Sequence, residues 1–108
     1  MKRGDLVTVA AGSGFGGKPR PALVLQSDAY PTGNLVLALM TSSLTPEETI
    51  RPRIEPSEAN GLRRTSDVMV DILVTVPRHK VDSTIGILSD DDLGRVERSL
   101  MIFLGLAG

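Results

Sequence analysis

Arg20 lies between two prolines in the stretch "KPRP", where a glycine-rich run ends and the apolar run "ALVLQ" begins. Proline fixes its own φ and biases the preceding residue toward extended backbone, so Pro19 and Pro21 hold Lys18 and Arg20 at the straight entrance of a strand. A guanidinium held in this way presents a planar fork of N–H donors that suits a phosphate. We therefore predict that Arg20 binds a phosphate, with Lys18 as a second, looser cation.

Three hydroxyl residues, Thr41, Ser42 and Ser43, follow the apolar run "NLVLALM" at the end of a second predicted strand. Hydroxyls at a strand end commonly serve the turn that follows. A threonine hydroxyl in this place could also donate a hydrogen bond to a phosphate oxygen. The residues alone leave both interpretations open.

Two titratable residues are weaker candidates for acid–base chemistry. His79, the only histidine, lies between Arg78 and Lys80 in "PRHKV". Its imidazole titrates near neutral pH, although a solvated loop residue is the plainer interpretation. Asp71 is an acid within the apolar run "VMVDIL", so it needs a partner such as Arg20 or must face the site.

The glycine-rich stretch "GSGFGGK" is not a nucleotide-binding P-loop, because Lys18 is followed by Pro19 and a strand rather than by Ser or Thr and a helix. The run cannot hold a regular element, and we predict a mobile loop. Phe15 in this loop could stack on a nucleic-acid base if it is exposed.

Composition restricts the class of protein. The 108 residues make one domain, 1–108, and the net charge of −1 argues against a broad basic field while leaving room for local basic patches. Because there is no cysteine and one histidine, we expect no disulfide, no metal and no cofactor. No apolar run approaches the ~18 residues of a membrane span, so the default expectation is a cytoplasmic protein without a membrane segment.

The apolar pattern predicts several strands followed by one helix. The first strand is "DLVTVAA", "ALVLQ" follows, and "NLVLALMTSS" has the continuous apolar pattern of a central strand buried on both faces. We predict a turn or short helix at "LTPEET" and an edge strand followed by a loop in "IRPRIEPSEANGL". The segment "TSDVMVDILVTVPRHKV" contains two short runs, which we expect to be broken near Ile72 or Leu73, and "TIGIL" is the last strand.

The helix begins after Ser89, which can cap it, and three aspartates occupy the first turn, where the helix dipole favours negative charge. Helical spacing defines one apolar face, formed by Leu93, Val96, Leu100, Phe103 and Leu104. Gly94 lowers helix stability by about 1 kcal/mol relative to alanine. The whole pattern predicts a mainly β (α+β) fold, a small barrel of strongly bent antiparallel strands with a C-terminal helix laid on it.

The order of these parts resembles the MazF/PemK toxins of bacterial toxin–antitoxin modules. The matching pieces are "RGDLVTV", "RPALVLQSDAY", "LMTSS", "SDVMVDILVTV" and "IGILSDDDLGRVERSL". The resemblance implies an SH3-like, CcdB/PemK-like barrel that forms a homodimer and cleaves single-stranded RNA without metal, leaving a 2′,3′-cyclic phosphate or 3′-phosphate and a 5′-hydroxyl. It also implies that Arg20 and Thr41 are the central catalytic positions and that a cognate antitoxin neutralises the toxin.

The chain departs from some relatives where a general base could lie. Residues 10–18 contain neither Glu nor His, and Met69 and Ile72 replace an Arg and a Gln around Asp71. The base is therefore unassigned, with Asp71 and His79 as candidates. The residues that we expect to bind RNA are Phe15, Lys18, Ser42, Ser43, Arg78 and Lys80.

Two alternatives belong to other functional classes. A CcdB-like gyrase poison shares this barrel but relies on a helix end that contains Trp, whereas this chain ends "FLGLAG". A catalytically weak RNA-binding relative would bind RNA in a salt-dependent way and release no cleavage products. For the homodimer, the C-terminal helix or the strand edge formed by residues 35–40 could supply the interface.

Overall fold

Six strands and one helix form in the part of the chain that the computed structural model describes, residues 1–10, 18–46 and 50–107. The strands are β1 (Asp5–Ala10), β2 (Pro19–Val24), β3 (Asn34–Thr41), β4 (Arg53–Ile54), β5 (Ser66–Pro77) and β6 (Val81–Ile87). A short 3-10 turn, Arg78–Lys80, joins β5 to β6, and the helix α1 (Asp90–Phe103) follows. The predicted helix is present, and the strands follow the predicted order except that the two runs predicted within residues 65–81 are one strand, β5. Part of "LTPEET" lies outside the described residues.

The strands form one antiparallel sheet in the order β4-β5-β3-β2-β1-β6. As predicted, β3 lies inside the sheet and is buried on both faces, with Leu37 and Leu39 on one face and Ala38 and Met40 on the other. Because β3 pairs with β2 and β5, residues 35–40 have no free edge. The expectation that this strand edge could form a dimer interface is therefore wrong.

The sheet separates two apolar cores. The first lies between one sheet face and α1, and includes Leu6, Leu23 and Met40 together with Val96 of the helix. The second core is formed by side chains on the opposite face of β1, β2, β3 and β5. Partly buried Val81 of β6 also packs against it, so the sheet curls around this core. Strands of a curled sheet bury side chains on both faces, which explains their nearly continuous apolar runs.

The pairing between β3 and β5 contains a large irregularity. From one paired position to the next, β3 advances two residues, from Ala38 to Met40, while β5 spans five, from Leu73 back to Val68. Extra residues on one strand form a β-bulge, which bends the strand and increases its twist. The sequence predicted two runs broken near Ile72 or Leu73, and the structure instead has one continuous strand whose pairing is interrupted there.

This bulge also exchanges the faces of β5. Before it, Val70 packs in the first core and Met69 in the second. After it, Leu73 packs against the first core and Ile72 against the second, so the odd and even positions have changed sides. Asp71 lies at the point of exchange and is exposed.

The helix begins as predicted. The Asp92 N–H donates to Ser89 Oγ at 3.1 Å, which satisfies one of the open N–H groups of the first turn. The buried face is shorter than the sequence indicated, because Phe103 and Leu104, each 49% exposed, lie beyond the core contacts of Leu100. Across the described ranges, no helix combines the length and apolar character needed to cross a membrane.

Candidate active site

A cleft of about 610 Å³ opens where β2 begins and β3 ends. The predicted phosphate-binding residues Lys18 and Arg20 line it together with Thr41. Ser42 and Ser43 line the same cleft. Five of the site residues predicted from the sequence therefore lie around one cavity.

The register between β2 and β3 explains why Arg20 meets Thr41. Ala22 pairs with Leu39, and the two strands run antiparallel. Continuing this register by two residues puts Arg20 opposite Thr41, although the two are far apart in the sequence. Val9 of β1 pairs with Arg20 on the other side, so the backbone of Arg20 is held within the sheet.

The Thr41 hydroxyl serves the turn and remains able to act on a ligand. The Ser43 N–H donates to Thr41 Oγ1 at 3.1 Å, which is the turn contact expected of a hydroxyl at a strand end. A hydroxyl has two acceptor lone pairs and one donor. Because the turn uses an acceptor, the hydroxyl proton can still be donated to a phosphate oxygen.

A second wall of the cleft is formed by residues 61–64, and it brings in Arg63 and Arg64. Both side chains are exposed. The sequence analysis assigned this pair no role, because its distance from Arg20 depends on how the segment between β4 and β5 folds. The adjacent arginines were the only signal that could have identified it.

A buried amide holds this segment in place. Asn60 is 3% exposed, and its Oδ1 accepts hydrogen bonds from the N–H groups of Ser57 and Leu62, each at 3.0 Å. Its Nδ2 donates to the Glu55 carbonyl at 2.9 Å. A side chain that satisfies three backbone groups fixes an irregular segment as regular pairing fixes a strand.

The environment of Asp71 differs from the expected one. Its carboxylate pairs with Arg51 rather than with Arg20, and Asp71 is not among the residues that line the cleft. The hydrogen bonds from Arg51 outweigh partial burial and lower the pKa of Asp71 below its ordinary value. The cause is geometric: at the β5 bulge, Asp71 points away from both cores and meets Arg51, which precedes β4.

The turn that contains Arg78, His79 and Lys80 lies at the other end of β3. Pro77 pairs with Asn34, the first residue of β3, whereas Thr41 is the last. His79 and Lys80 are exposed, and Arg78 Nε donates to the Thr32 carbonyl at 2.6 Å. The structure therefore does not bring these three residues to the cleft that contains Arg20.

Asp67 is a site neighbour that the sequence did not identify. It pairs in register with Thr41, and it is fully buried. Arg53 Nε donates to its Oδ1 at 2.9 Å, and the Thr45 N–H donates to its Oδ2 at 3.2 Å. Burial acts to raise the pKa of Asp67, but these hydrogen bonds outweigh burial and lower the pKa. The position of Asp67 beside Thr41 and Arg53 depends on the register of β5 with β3 and β4, which the sequence does not show.

Phe15 lies outside the described residues. Within residues 1–10, 18–46 and 50–107, no group of three or more His, Asp or Glu side chains could hold a metal ion. The chemistry that the arrangement supports is electrostatic: an arginine, a lysine and a hydroxyl around a cavity large enough for part of a polyanion.

A family model matches most of the chain. The model of the family described as PemK-like, MazF-like toxin of type II toxin–antitoxin systems matches residues 2–104. The chain is 41% identical over 109 residues to the probable endoribonuclease MazF of Mycolicibacterium smegmatis, and the alignment covers 100% of both chains.

Solved structures share the fold. An endoribonuclease from a mycobacterial species, in complex with its cognate antitoxin, has a TM-score of 0.79 and 19% identity, covering 100% of this chain and 98% of its own. The MazE–MazF complex of Deinococcus radiodurans has a TM-score of 0.77 and 24% identity, with 99% and 97% covered. These likenesses confirm the predicted class of fold, a curled antiparallel sheet with a C-terminal helix.

Proposed function

The chain belongs to the PemK-like, MazF-like toxins of type II toxin–antitoxin systems, and we propose that it is an endoribonuclease that cleaves single-stranded RNA in the cytoplasm. The observation that carries this proposal is the meeting of Arg20 and Thr41 in one cleft. The identity to a probable endoribonuclease supports cleavage over the gyrase-poison alternative.

The proposed reaction is attack by a ribose 2′-OH on the adjacent phosphorus. The O2′–P bond forms, the P–O5′ bond breaks, and the products are a 2′,3′-cyclic phosphate and a 5′-hydroxyl. The 2′-OH proton leaves to a base while O5′ gains a proton. Hydrolysis of the cyclic phosphate then gives the 3′-phosphate.

Arg20 and Thr41 act on the negative charge that develops on the phosphorane. The Arg20 guanidinium and the Thr41 hydroxyl donate to its two non-bridging equatorial oxygens. Donors fixed where charge develops are commonly the largest contributors to catalysis. Because Arg20 supplies permanent positive charge, this mechanism uses no metal ion.

The proton acceptor is the open part of the mechanism. Among the described residues that line the cleft, none has a carboxylate or an imidazole. Asp71 and His79 are the candidates from the sequence, and either would need a rearrangement or a second copy of the chain to reach a bound 2′-OH. We therefore propose electrostatic stabilisation by Arg20 and Thr41 as the main contribution.

The test is cleavage of a mixed single-stranded RNA pool in EDTA. We expect the wild-type protein to cut at defined short sequences and Arg20→Ala to lose activity by about 10²–10³-fold, the usual effect of removing one such donor. Arg98→Ala, an exposed arginine of α1 outside the cleft, is the matched control and should cut normally. Intact RNA with the wild-type protein, or a requirement for Mg²⁺, would contradict the proposal.

The same assay separates the enzyme from a binding-only relative. That alternative predicts an RNA complex without products at any enzyme concentration. Sequencing the 5′ ends of the fragments would identify the recognised bases and show whether mRNA, tRNA or rRNA is cut.

We also propose that a cognate antitoxin covers the cleft. The mycobacterial and Deinococcus structures contain such partners. In this chain, Lys18 and Arg20 offer cations that an acidic segment could occupy in place of RNA phosphate. An acidic antitoxin peptide should compete with RNA for wild-type protein and bind more weakly to Arg20→Ala. Inhibition that leaves RNA binding unchanged would contradict this model.

A homodimer is the proposed assembly. Beyond the core contacts of α1, apolar side chains stay exposed, including Ile102 at 60% and Leu106 at 72%. Burying such a face in a second copy is favourable by about 25 cal/mol per Å² of apolar area. Sedimentation should show a dimer that Leu106→Asp dissociates and that Tyr30→Asp, at another exposed position, leaves intact. A wild-type monomer at micromolar concentration would contradict it.

A further inference from the structure

We propose that Arg63 and Arg64 form a second phosphate-binding subsite of the cleft, which holds a backbone phosphate of single-stranded RNA next to the one bound by Arg20. This inference rests on the proposed function, because it names where the same substrate is held. It adds a contact that neither the sequence nor the family match assigns.

Within the described residues, Arg63 and Arg64 have no acidic counter-charge. In the described residues, four arginines pair with carboxylates: Arg3 with Glu97, Arg51 with Asp71, Arg53 with Asp67 and Arg95 with Asp92. Arg63 and Arg64 are adjacent in the chain and have no such pair there. Two neighbouring cations on the wall of a cleft suit an anion that comes from outside the chain.

The segment that carries Arg63 and Arg64 is firmly attached to the rest of the fold. Leu62, directly before Arg63, is buried in the first core. Asn60 ties the preceding residues together through its hydrogen bonds to Ser57, Leu62 and Glu55. The arginine backbones are therefore fixed while their side chains stay exposed, which reduces the entropy lost when they bind a ligand.

This segment is also in close contact with β6. Gly61 has φ of +68°, and a Cβ at this residue would overlap the carbonyl of Ile85. A Cβ at Gly86 would overlap the backbone of Asn60. The Ile87 N–H donates to the Ala59 carbonyl at 2.9 Å. With no side chains between them, the two backbones pack directly, and this contact fixes the position of the second wall.

The chemistry favours phosphate over a base. A guanidinium presents paired N–H donors that match two phosphate oxygens, and Arg binds phosphate in this way more often than Lys does. In single-stranded RNA each base can vary, whereas every linkage carries the same charge. Arg63 and Arg64 are therefore expected to strengthen binding of all sequences about equally while leaving the choice of cleavage site to other residues.

The experiment measures binding without cleavage. The probe is a mixed-sequence 2′-O-methyl RNA pool, which lacks the attacking hydroxyl, and affinity is measured as a function of salt for the wild type, Arg63→Ala, Arg64→Ala and the double variant. Each lost contact should reduce the slope of log K against log salt by about 0.7, or about 1.4 for the double variant. Arg98→Ala, which removes an exposed arginine outside the cleft, should keep the wild-type slope.

Cleavage by the double variant gives a second readout. We expect the same cut positions and a raised KM with kcat largely kept, because the subsite binds substrate and transition state equally. An unchanged salt slope in the double variant overturns the proposal, whether or not its affinity falls. If the slopes change as expected but the wild-type protein cuts no RNA, the subsite is supported and the proposed nuclease function fails.

Discussion

The carboxylate of Asp71 accepts two hydrogen bonds from the guanidinium of Arg51, at 2.9 Å from Nε and 2.8 Å from Nη2. This bidentate pair lowers the pKa of Asp71 and raises that of Arg51. A general base works best when its pKa lies near the operating pH, and a carboxylate that is held ionised by arginine is a poor acceptor. The pair therefore favours a structural role for Asp71.

We predict that Asp71→Asn cleaves RNA at nearly the wild-type rate. Loss of a general base typically lowers the rate by about 10²–10⁴-fold, so a decrease of less than tenfold in kcat/KM separates the two roles. The comparison variant is Arg51→Ala, which frees the carboxylate without removing it. A decrease of 10²-fold or more in Asp71→Asn alone, with the fold intact, would assign the base to Asp71.

Asp67 should make stability depend on pH. Its pKa in the folded state lies below the value of about 3.9 in the unfolded chain. The folded state therefore gains stability from ionised Asp67 above that unfolded value, and loses this stability as the pH falls through the folded pKa.

Asp67→Asn should accordingly lower the free energy of unfolding by about 1.5–3 kcal/mol at pH 7, the range for hydrogen bonds to a charged group. The difference from the wild type should shrink below about pH 4, where the wild-type carboxyl is protonated in the unfolded chain. Urea unfolding of both proteins at a series of pH values measures this difference in the free energy of unfolding. Asp82→Asn, at an exposed position of β6, should differ little from the wild type. A difference that stays constant down to pH 2 would contradict the prediction.

The contact between Asn60 and β6 should not tolerate a methyl group. Gly86→Ala puts a Cβ into the Asn60 backbone, and overpacking of this kind typically costs about 1–3 kcal/mol. We expect a lower midpoint of thermal unfolding and a less firmly held second wall of the cleft. Gly33→Ala is the matched control, because a Cβ there meets nothing within 4 Å. Equal midpoints for the two variants would show that the segment can move away from β6.

Two glycines of the C-terminal region should respond in opposite directions. Gly94 lies within α1, where a Cβ would meet only the Arg98 side chain at 3.6 Å, so Gly94→Ala should stabilise by about 0.5–1 kcal/mol through helix propensity. Gly105 has φ of +75°, which alanine adopts poorly, so Gly105→Ala should destabilise. Thermal unfolding of both variants tests this. Destabilisation by Gly94→Ala would indicate a contact of that helix face that the single chain does not make.

The features that the sequence predicted depend on nearby residues. Each of these signals acts within a few positions of the chain. The prolines beside Arg20 predicted where β2 begins, the uninterrupted apolar run predicted that β3 is a central strand, and the cap at Ser89 predicted where α1 begins. The sequence did not predict that Asp67 pairs with Arg53 or that Arg63 lies on the cleft. Both depend on the register between strands and on an irregular segment fixed by one buried amide, and neither leaves a periodic pattern.

The helix shows the same limit. Phe103 and Leu104 continue the apolar spacing of Leu100, yet they extend past the sheet that the helix covers. Periodicity identifies the side of a helix that prefers burial. It does not say how far along the helix a partner surface continues.

The exchange of faces in β5 also explains how the middle of this strand can contain an exposed charge. In this strand of 12 residues, seven apolar side chains each belong to one of the two cores. Asp71 sits at the one step where the strand changes sides and belongs to neither core. An aspartate there remains in solvent although its neighbours are apolar. Deleting one residue from the bulge would restore the regular alternation of side chains between the two faces of β5. Either the Asp71 carboxylate would then be buried, or every later side chain of the strand would face the wrong core.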